Sequence, residues 1–462
     1  MKLNGPFLFI LTTLMIDAVG IGLVFPIMPD LMNRVGADSA AEGALWGGIL
    51  MSAYAAAMLL FGPIVGSLSD AYGRRPILIA ALATLAIDYI IMALAQTYWI
   101  LLTGRIIAGM AGATYITATA YISDITKPEE RGAAFGMIGA AFGIGFVFGP
   151  ALGGIASSWH ITAPFWVAAA FSILNMFFGL LILPESLKEK NRRAFGKRDL
   201  NPFASIVRAF LIPGLATPLI CIFIFEFANM VYPTLWAFWV REVFGWGSLT
   251  IGLTLSAYGI LIAAVQAGLL PQMTKRIGDY KTLIFASISA VVALVGFGFT
   301  TAAWAVAIVM PIAALSDMAP PLLTAFAANR VADNKQGLVQ GVIASLASVA
   351  AVLAPLVLTG AFERFVNNTG LYFPGAPFII AAILTIAIIP LMLRLKPHTT
   401  ATYARNMSHQ FVARSGLIYK EKSKDIIMNL CMNRTIESGV ETLRARVVYN
   451  KGAKGGSEFC KN

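Results

Sequence analysis

The sequence predicts an all-α polytopic membrane protein, with twelve transmembrane helices in two pseudo-symmetric six-helix halves. Three observations predict it. First, the 462 residues are 58% hydrophobic and only 12% charged, where a soluble protein carries roughly 25% charge. Second, twelve apolar runs each approach the roughly 20 residues that cross a hydrocarbon core of about 30 Å as helix. Third, a single offset of 205 residues lays Gly278 on Gly73, Gly337 on Gly132, Gly341 on Gly136 and Pro355 on Pro150. The mean hydropathy of +0.77 excludes a disordered chain, a secreted disulfide scaffold and an ordinary soluble enzyme.

In order, the runs fall at about 7–29, 44–67, 76–95, 99–122, 133–156, 164–183, 213–239, 249–270, 282–300, 303–326, 337–361 and 376–394. The first follows Lys2 as a signal peptide would. Asp17 interrupts it, however, and no small-residue cleavage site follows, so it reads as the first membrane helix. Most connections are short. The exceptions divide the chain into an N-terminal half (1–183), a Lys/Arg-rich linker (184–212), a C-terminal half (213–394) and a basic tail (395–462). The tail lacks a sustained apolar period, and its Gly455–Phe459 stretch looks like an appended sequence. It reads as a solvated, disordered or non-native extension, with binding to anionic lipid as the functional alternative.

The 34 Lys and Arg outnumber the 23 Asp and Glu, for a net charge of +11. With the N-terminus in the cytoplasm, 18 bases fall on cytoplasmic segments and 3 (Arg34, Arg241, Arg364) on external loops. This bias predicts that both termini are cytoplasmic. The tail from 396 onward holds +7 of the excess, so the basic balance points to topology and the bilayer, not to nucleic acid. Cys221, Cys431 and Cys460 form no CxxC, and His160, His398 and His409 do not cluster, so no metal site or disulfide framework is expected.

The loop after the second run reads Gly66-Ser-Leu-Ser69-Asp70-Ala-Tyr-Gly73-Arg74-Arg75-Pro76. Gly73 permits a tight turn, and Pro76 suits the first turn of the next helix. Physics alone allows a plain positive-inside turn equally well. In the fifth run Gly145, Gly149 and Gly153 recur every four residues beside Pro150 and Gly154. This gives a helix face that a neighbouring backbone can approach closely, whether for transport or for ordinary packing. The first loop resembles the signature loop of the major facilitator superfamily, and the glycine face resembles the antiporter motif of its exporters. The resemblance implies the major facilitator fold. It also implies a cytoplasmic gate in which Ser69, Asp70, Gly73, Arg74 and Arg75 work with Asp124 at the end of the fourth helix. Further stretches extend the likeness in order from about residue 7 to 394. They include Asp17-Ala-Val-Gly20-Ile-Gly22, Gly104-Arg105, Asn201-Pro202-Phe-Ala-Ser205 and Gln336-Gly337-Leu-Val-Gln340-Gly341. They resemble the TetA-type tetracycline/proton antiporters of bacterial inner membranes. A monomeric exporter of an amphiphilic drug is thereby implied, with metal-chelated tetracycline favoured. It would use the proton as coupling ion, with no cofactor, and a divalent cation would travel with the drug.

Asp17, Asp88, Arg105, Glu226 and Asp317 lie within the apolar runs. Each costs about 2.5–3.5 kcal/mol to insert, and such residues mark function by default. An acid in apolar surroundings exchanges its proton nearer neutral pH, which a proton-coupled carrier requires. Asp17 reads as cavity-lining or structural. Arg105 reads as transport-related or as an ion-pair partner of Asp17 or another acid. Asp88 is as readily packing as transport. The chain also departs from the TetA pattern: Val291 stands where helix 9 carries an acid and Ile262 where helix 8 carries a His, while Gln266 is kept. Glu226 and Asp317 are extra, and are expected to supply the second half's proton or cation site. Of the aromatics around Glu226, Phe227, Trp236 and Trp239 are candidates to stack on a flat drug, with lipid-facing or core packing as the alternative. Pro218 and Pro233 are expected to bend helix 7, and Pro320-Pro321 to break helix 10 after Asp317. A sensor or receptor would not need the gate loop, the repeat and the glycine face together. An intramembrane enzyme would need a nucleophile–base or metal set, and no HExxH or Walker sequence is present.

Overall fold

The computed structural model describes residues 5–112, 114–127, 130–189, 192, 210, 212, 214–331, 336–367 and 370–395, and the backbone of 428–437 and 440–449. Twelve helices long and apolar enough to cross a membrane lie among these residues. They are α1 (Gly5–Arg34), α2 (Ala40–Tyr72), α3 (Arg74–Leu94), α4 (Tyr98–Ile125), α5 (Arg131–Ser157), α6 (Ala163–Ile182), α7 (Ala216–Phe244), α8 (Ser248–Ile277), α9 (Asp279–Phe299), α10 (Ala303–Ala328), α11 (Gln336–Asn367) and α12 (Ala376–Leu393). Each expected run coincides with such a helix, and several helices extend further. The first run continues past residue 29 through a 3₁₀ turn at Phe25–Ile27. The start of α2 is fixed by Ser39, whose hydroxyl accepts from Glu42 N at 3.1 Å, as an N-cap should.

The irregularities fall where the prolines and acids are. α7 breaks at Met230, three residues before Pro233. α10 breaks between Ser316 and Ala319 with Asp317 at the junction, because Pro320 and Pro321 cannot donate to the preceding turn. α8 carries a π turn at Val265–Leu269 that the sequence did not announce. The repeat has a backbone counterpart: Gly73 (φ 109°) joins α2 to α3 and Gly278 (φ 81°) joins α8 to α9, both in a region that favours glycine.

Residues 1–395 form one compact unit and 396–462 another. In the second, Met428–Glu437 (β1) pairs antiparallel with Val440–Tyr449 (β2). The all-α description therefore holds for the twelve-helix unit, and the tail departs from it with one hairpin. A tail with no helical apolar period still has short segments rich in β-branched and apolar residues. Lys2, Lys190, Arg193, Lys197, Arg198, Arg208, Lys335, the Asn201–Ser205 stretch and Gly455–Phe459 lie outside the described residues.

The core shows how the two halves meet. The bundle end bearing Arg74 is the one that the charge bias assigns to the cytoplasm, and it is named the inner end. Toward the outer end, one buried cluster joins both halves, including Leu23, Ile27, Phe165, Phe238, Trp239, Phe297, Leu358 and Phe378. Toward the inner end the cores are separate. One belongs to the first half, around Phe7, Leu14, Tyr121 and Ile138; the other belongs to the second, around Leu219, Phe225, Leu323 and Met392. The halves are thus fused at the outer end and parted at the inner end.

Candidate functional site

The signature loop forms the expected network, and it lies wholly within the first half. Arg74 pairs with Asp70 at 2.5 Å and with Asp124 at 3.2 Å. Its Nη1 donates to Ser69 Oγ at 2.5 Å. Ser186 Oγ donates to Asp124 Oδ2 at 3.0 Å, so the segment after α6 joins the network. Arg75 sits apart from it, donating to the Leu180 carbonyl at 2.7 Å. Glu185 is a residue the sequence reading missed. Its carboxylate accepts from the backbone N–H groups of Arg74 (2.8 Å) and Arg75 (3.2 Å), the open N-terminus of α3. A carboxylate there satisfies orphan donors and meets the positive end of the helix dipole. Gly73 suits this turn because its φ favours glycine, and a Cβ there would also push aside the Glu185 carboxylate.

The glycine face of α5 makes two kinds of contact. A Cβ on Gly149 would lie 2.7 Å from the Val19 carbonyl of α1, and one on Gly145 or Gly153 would strike the α1 carbonyls of Met15 and Leu23. A Cβ on Gly154 would lie 2.8 Å from the Ser248 carbonyl of α8, in the other half. Gly252 of α8 abuts Pro150 in return, and Ala151 N donates to Ser256 Oγ at 3.0 Å. Two further contacts cross between the halves at this end. Gly48 of α2 packs on Thr359 of α11, and Asp30 of α1 pairs with Arg241 of α7 and accepts from Ser248 Oγ. At the inner end the same helices part. A Cβ on Gly132, Gly136, Gly139 or Gly143 of α5, Gly268 of α8, or Gly337 or Gly341 of α11 would meet nothing within 4 Å. A cavity of about 520 Å³ opens there between α2 and α11, lined by Gly62, Gly66, Asp70, Arg74, Gly341 and Ser345 among others. The bundle is thus open at the end named inner and closed at the opposite end.

The membrane charges form two groups, one in each half. In the first, Arg105 pairs with Asp88, which is 1% exposed, and lies 5.4 Å from the centre of the Tyr54 ring. Of the open partners for Arg105, the structure selects Asp88, and Tyr54 lies near enough to interact electrostatically with both Arg105 and Asp17. In the second group, Tyr258 OH donates to Asp317 Oδ2 at 2.9 Å. Gln266 Nε2, inside the π turn, donates to the Asp317 carbonyl at 3.2 Å, which the helix break leaves free. Glu226 lies near enough for its charge to reach Asp317.

The aromatic candidates divide. Trp239 is 1% exposed and packs edge-on against Phe244, Phe297 and Phe378. It is a core residue in this conformation, the alternative given above for it, because the outer ends of α7, α9 and α12 close around it. Trp236 is buried in the same core, edge-on to Phe297; it differs from Trp239 in donating to Thr254 Oγ1 at 3.2 Å and in edging a small cavity with Tyr232 and Tyr258. Phe227 is half-buried, with its ring 6.3 Å from that of Phe223.

Comparison with known proteins agrees with this arrangement. The model of the Major Facilitator Superfamily matches residues 10–355. The class C tetracycline resistance protein of Escherichia coli is 36% identical over 395 residues, covering 85% of this chain and 98% of that protein. The class G protein of Vibrio anguillarum is 34% identical over 382 residues, covering 82% and 95%. Two solved structures share the fold. The human organic anion transporter MFSD10 (TETRAN) has 22% identity and a TM-score of 0.64, covering 84% of this chain and 98% of that one. A bacterial homologue of the human lysosomal transporter Spinster, in an inward-facing and occupied conformation, has 14% identity and a TM-score of 0.68, covering 84% and 96%. The chain is a multi-pass membrane protein that belongs to the major facilitator superfamily, as a relative of its tetracycline resistance proteins.

Proposed function

We propose that the protein exports metal-chelated tetracycline from the bacterial cytoplasm across the inner membrane, in exchange for protons, by alternating access. Both termini face the cytoplasm, and the 18-to-3 distribution of bases supports that orientation. The protein works as a monomer without cofactor, and the divalent cation moves as part of the drug complex. It is a carrier, not an enzyme. The observation that carries the reading is the pathway itself. The two halves share a core at one end only, and each half holds a membrane-embedded acid, Asp17 in the first and Asp317 in the second. Carriers built from repeated halves bind near the bilayer midplane and rock one half against the other, and Gly154, Gly252 and Gly48 let the two halves approach closely where they meet.

The substitutions Val291 and Ile262, together with Glu226 and Asp317, favour a second reading in which another amphiphilic drug is the cargo. Everted membrane vesicles with an acidified lumen test both. Magnesium–tetracycline should accumulate in the lumen, and a protonophore should abolish accumulation. Accumulation of other panel drugs without tetracycline selects the second reading. No uptake and no proton release with any drug overturns export altogether.

A further inference from the structure

We propose that Asp30 is the latch of the outer end: its ion pair with Arg241 and its hydrogen bond from Ser248 hold the two halves together, and both break each time that end opens to release drug. The inference rests on the alternating-access reading and deepens it. Asp30 lies in the stretch of α1 that continues outward past the 3₁₀ turn at Phe25–Ile27. Its partners belong to the second half. Arg241 is in the last turn of α7, and Ser248 is the first residue of α8. One Asp30 oxygen pairs with Arg241 Nη1, and the other accepts from Ser248 Oγ. A single carboxylate therefore ties α1 to the turn between α7 and α8. The Arg241 and Asp30 side chains are 28% and 26% exposed, so solvent screens the pair only in part. Glu242, the acid next to Arg241 in sequence, accepts instead from Tyr372 of its own half at 2.8 Å. Among the described residues, Arg241 is thus left to Asp30.

The pairs Arg74–Asp70, Arg74–Asp124 and Arg105–Asp88 do not fill this role. Each lies within the first half, so the halves can part or close without breaking them. Asp30–Arg241 joins the halves, and it is made while the inner end is open. Ser248 reinforces it. Its hydroxyl is held by Asp30 of α1 while its carbonyl lies against Gly154 of α5. The start of α8 is therefore gripped by two helices of the first half. Moving α1 and α5 off α7 and α8 gives Asp30, Arg241 and Ser248 to water together. The latch contributes to one state and not to the other, which is the condition for a contact to bias the equilibrium between them. It keeps the outer end shut while drug enters from the inner end.

The test uses the full-length chain in detergent without drug, with Cys221, Cys431 and Cys460 replaced by serine. Thr359→Cys reports on the outer contact and Ser345→Cys on the inner cavity. Each is labelled singly with a thiol reagent in the parent, in Asp30→Asn, in Arg241→Gln and in the reversed pair, Asp30→Arg with Arg241→Asp. Asp30→Asn keeps the side chain's shape and an acceptor for Ser248, so it removes the charge alone. The ratio of the labelling rate at position 359 to that at 345 should rise about fivefold in each single variant. That is the upper end for an exposed ion pair, taken because this one is part-buried. The reversed pair should recover part of the parent ratio. An unchanged ratio in Asp30→Asn, or a reversed pair no closer to the parent than the single variants, overturns the latch. The labelling needs neither drug nor a proton gradient. The export reading fails separately, if the unmodified protein in proteoliposomes moves no drug under a pH gradient.

Discussion

Replacing Gly154 by alanine should drive the protein out of the state in which the outer ends of α5 and α8 touch. The added Cβ would lie 2.8 Å from the Ser248 carbonyl and 2.9 Å from Leu249 Cα. Both are backbone atoms, so neither can rotate away as a side-chain tip could, and one helix must yield. Overpacking of this kind costs about 1–3 kcal/mol. The cost falls only on the state in which the outer ends of α5 and α8 touch, so it is a differential free energy between states. It corresponds to roughly a 5–150-fold shift in the equilibrium. Cysteine reporters read it, with Cys221, Cys431 and Cys460 first replaced by serine. Ser345→Cys lines the inner cavity, and Thr359→Cys is buried in the outer contact. In Gly154→Ala, an impermeant thiol reagent should label position 345 more slowly from the inner side and position 359 faster from the outer side. Gly143→Ala on the same helix is the control, since its Cβ meets nothing within 4 Å. Equal labelling in the two alanine variants would refute the reasoning, because it would mean that the outer α5–α8 contact does not define the state.

Three further perturbations separate the roles of the polar groups. Arg105→Ala strands Asp88, which is 1% exposed, and should cost about 3–5 kcal/mol; Asp88→Leu combined with Arg105→Leu should be less damaging, as read by thermal unfolding in detergent. Glu185→Ala removes the acceptor at the start of α3 and should cost about 1 kcal/mol; a lower melting temperature is expected with the Asp70–Arg74–Asp124 network still in place. Arg74→Lys keeps the charge but cannot reach Asp70, Asp124 and Ser69 together; export should fall about tenfold, on the scale of one charged hydrogen bond, while the amount of protein in the membrane stays the same.

Much of this molecule could be read from sequence because the bilayer allows so few solutions. A spanning segment must satisfy its own backbone, so apolar length alone located each of α1 to α12. The gate residues Asp70, Arg74 and Asp124 were legible only through the likeness of their loop to the superfamily's signature, since the charges alone allowed a plain positive-inside turn equally well. The α10 break was legible from Pro320-Pro321. What stayed hidden depends on pairings distant in sequence. Asp30 and Arg241 look like ordinary end-of-helix charges until α1 and α7 are set side by side. Glu185 looks like one more linker charge until it folds back on α3. Asp88 could be recognised as an intramembrane acid, but only packing chose it over Asp17 as the partner of Arg105. Trp236 and Trp239 carried one sequence signal, and the burial of both depends on the closed outer ends of α9 and α12. Tyr232 was legible only as one of the aromatics around Glu226, and Tyr54 and Tyr258 gave no polar signal, since a tyrosine in an apolar run reads as packing until its hydroxyl is placed beside an acid.

The most direct measurement follows drug and protons together. Purified protein in proteoliposomes, with magnesium–tetracycline outside and an acidified lumen, should take up drug while the lumen loses protons in fixed ratio. Asp317→Asn should break that ratio. Drug uptake that proceeds unchanged when the pH gradient is collapsed, with no proton movement, would contradict the account.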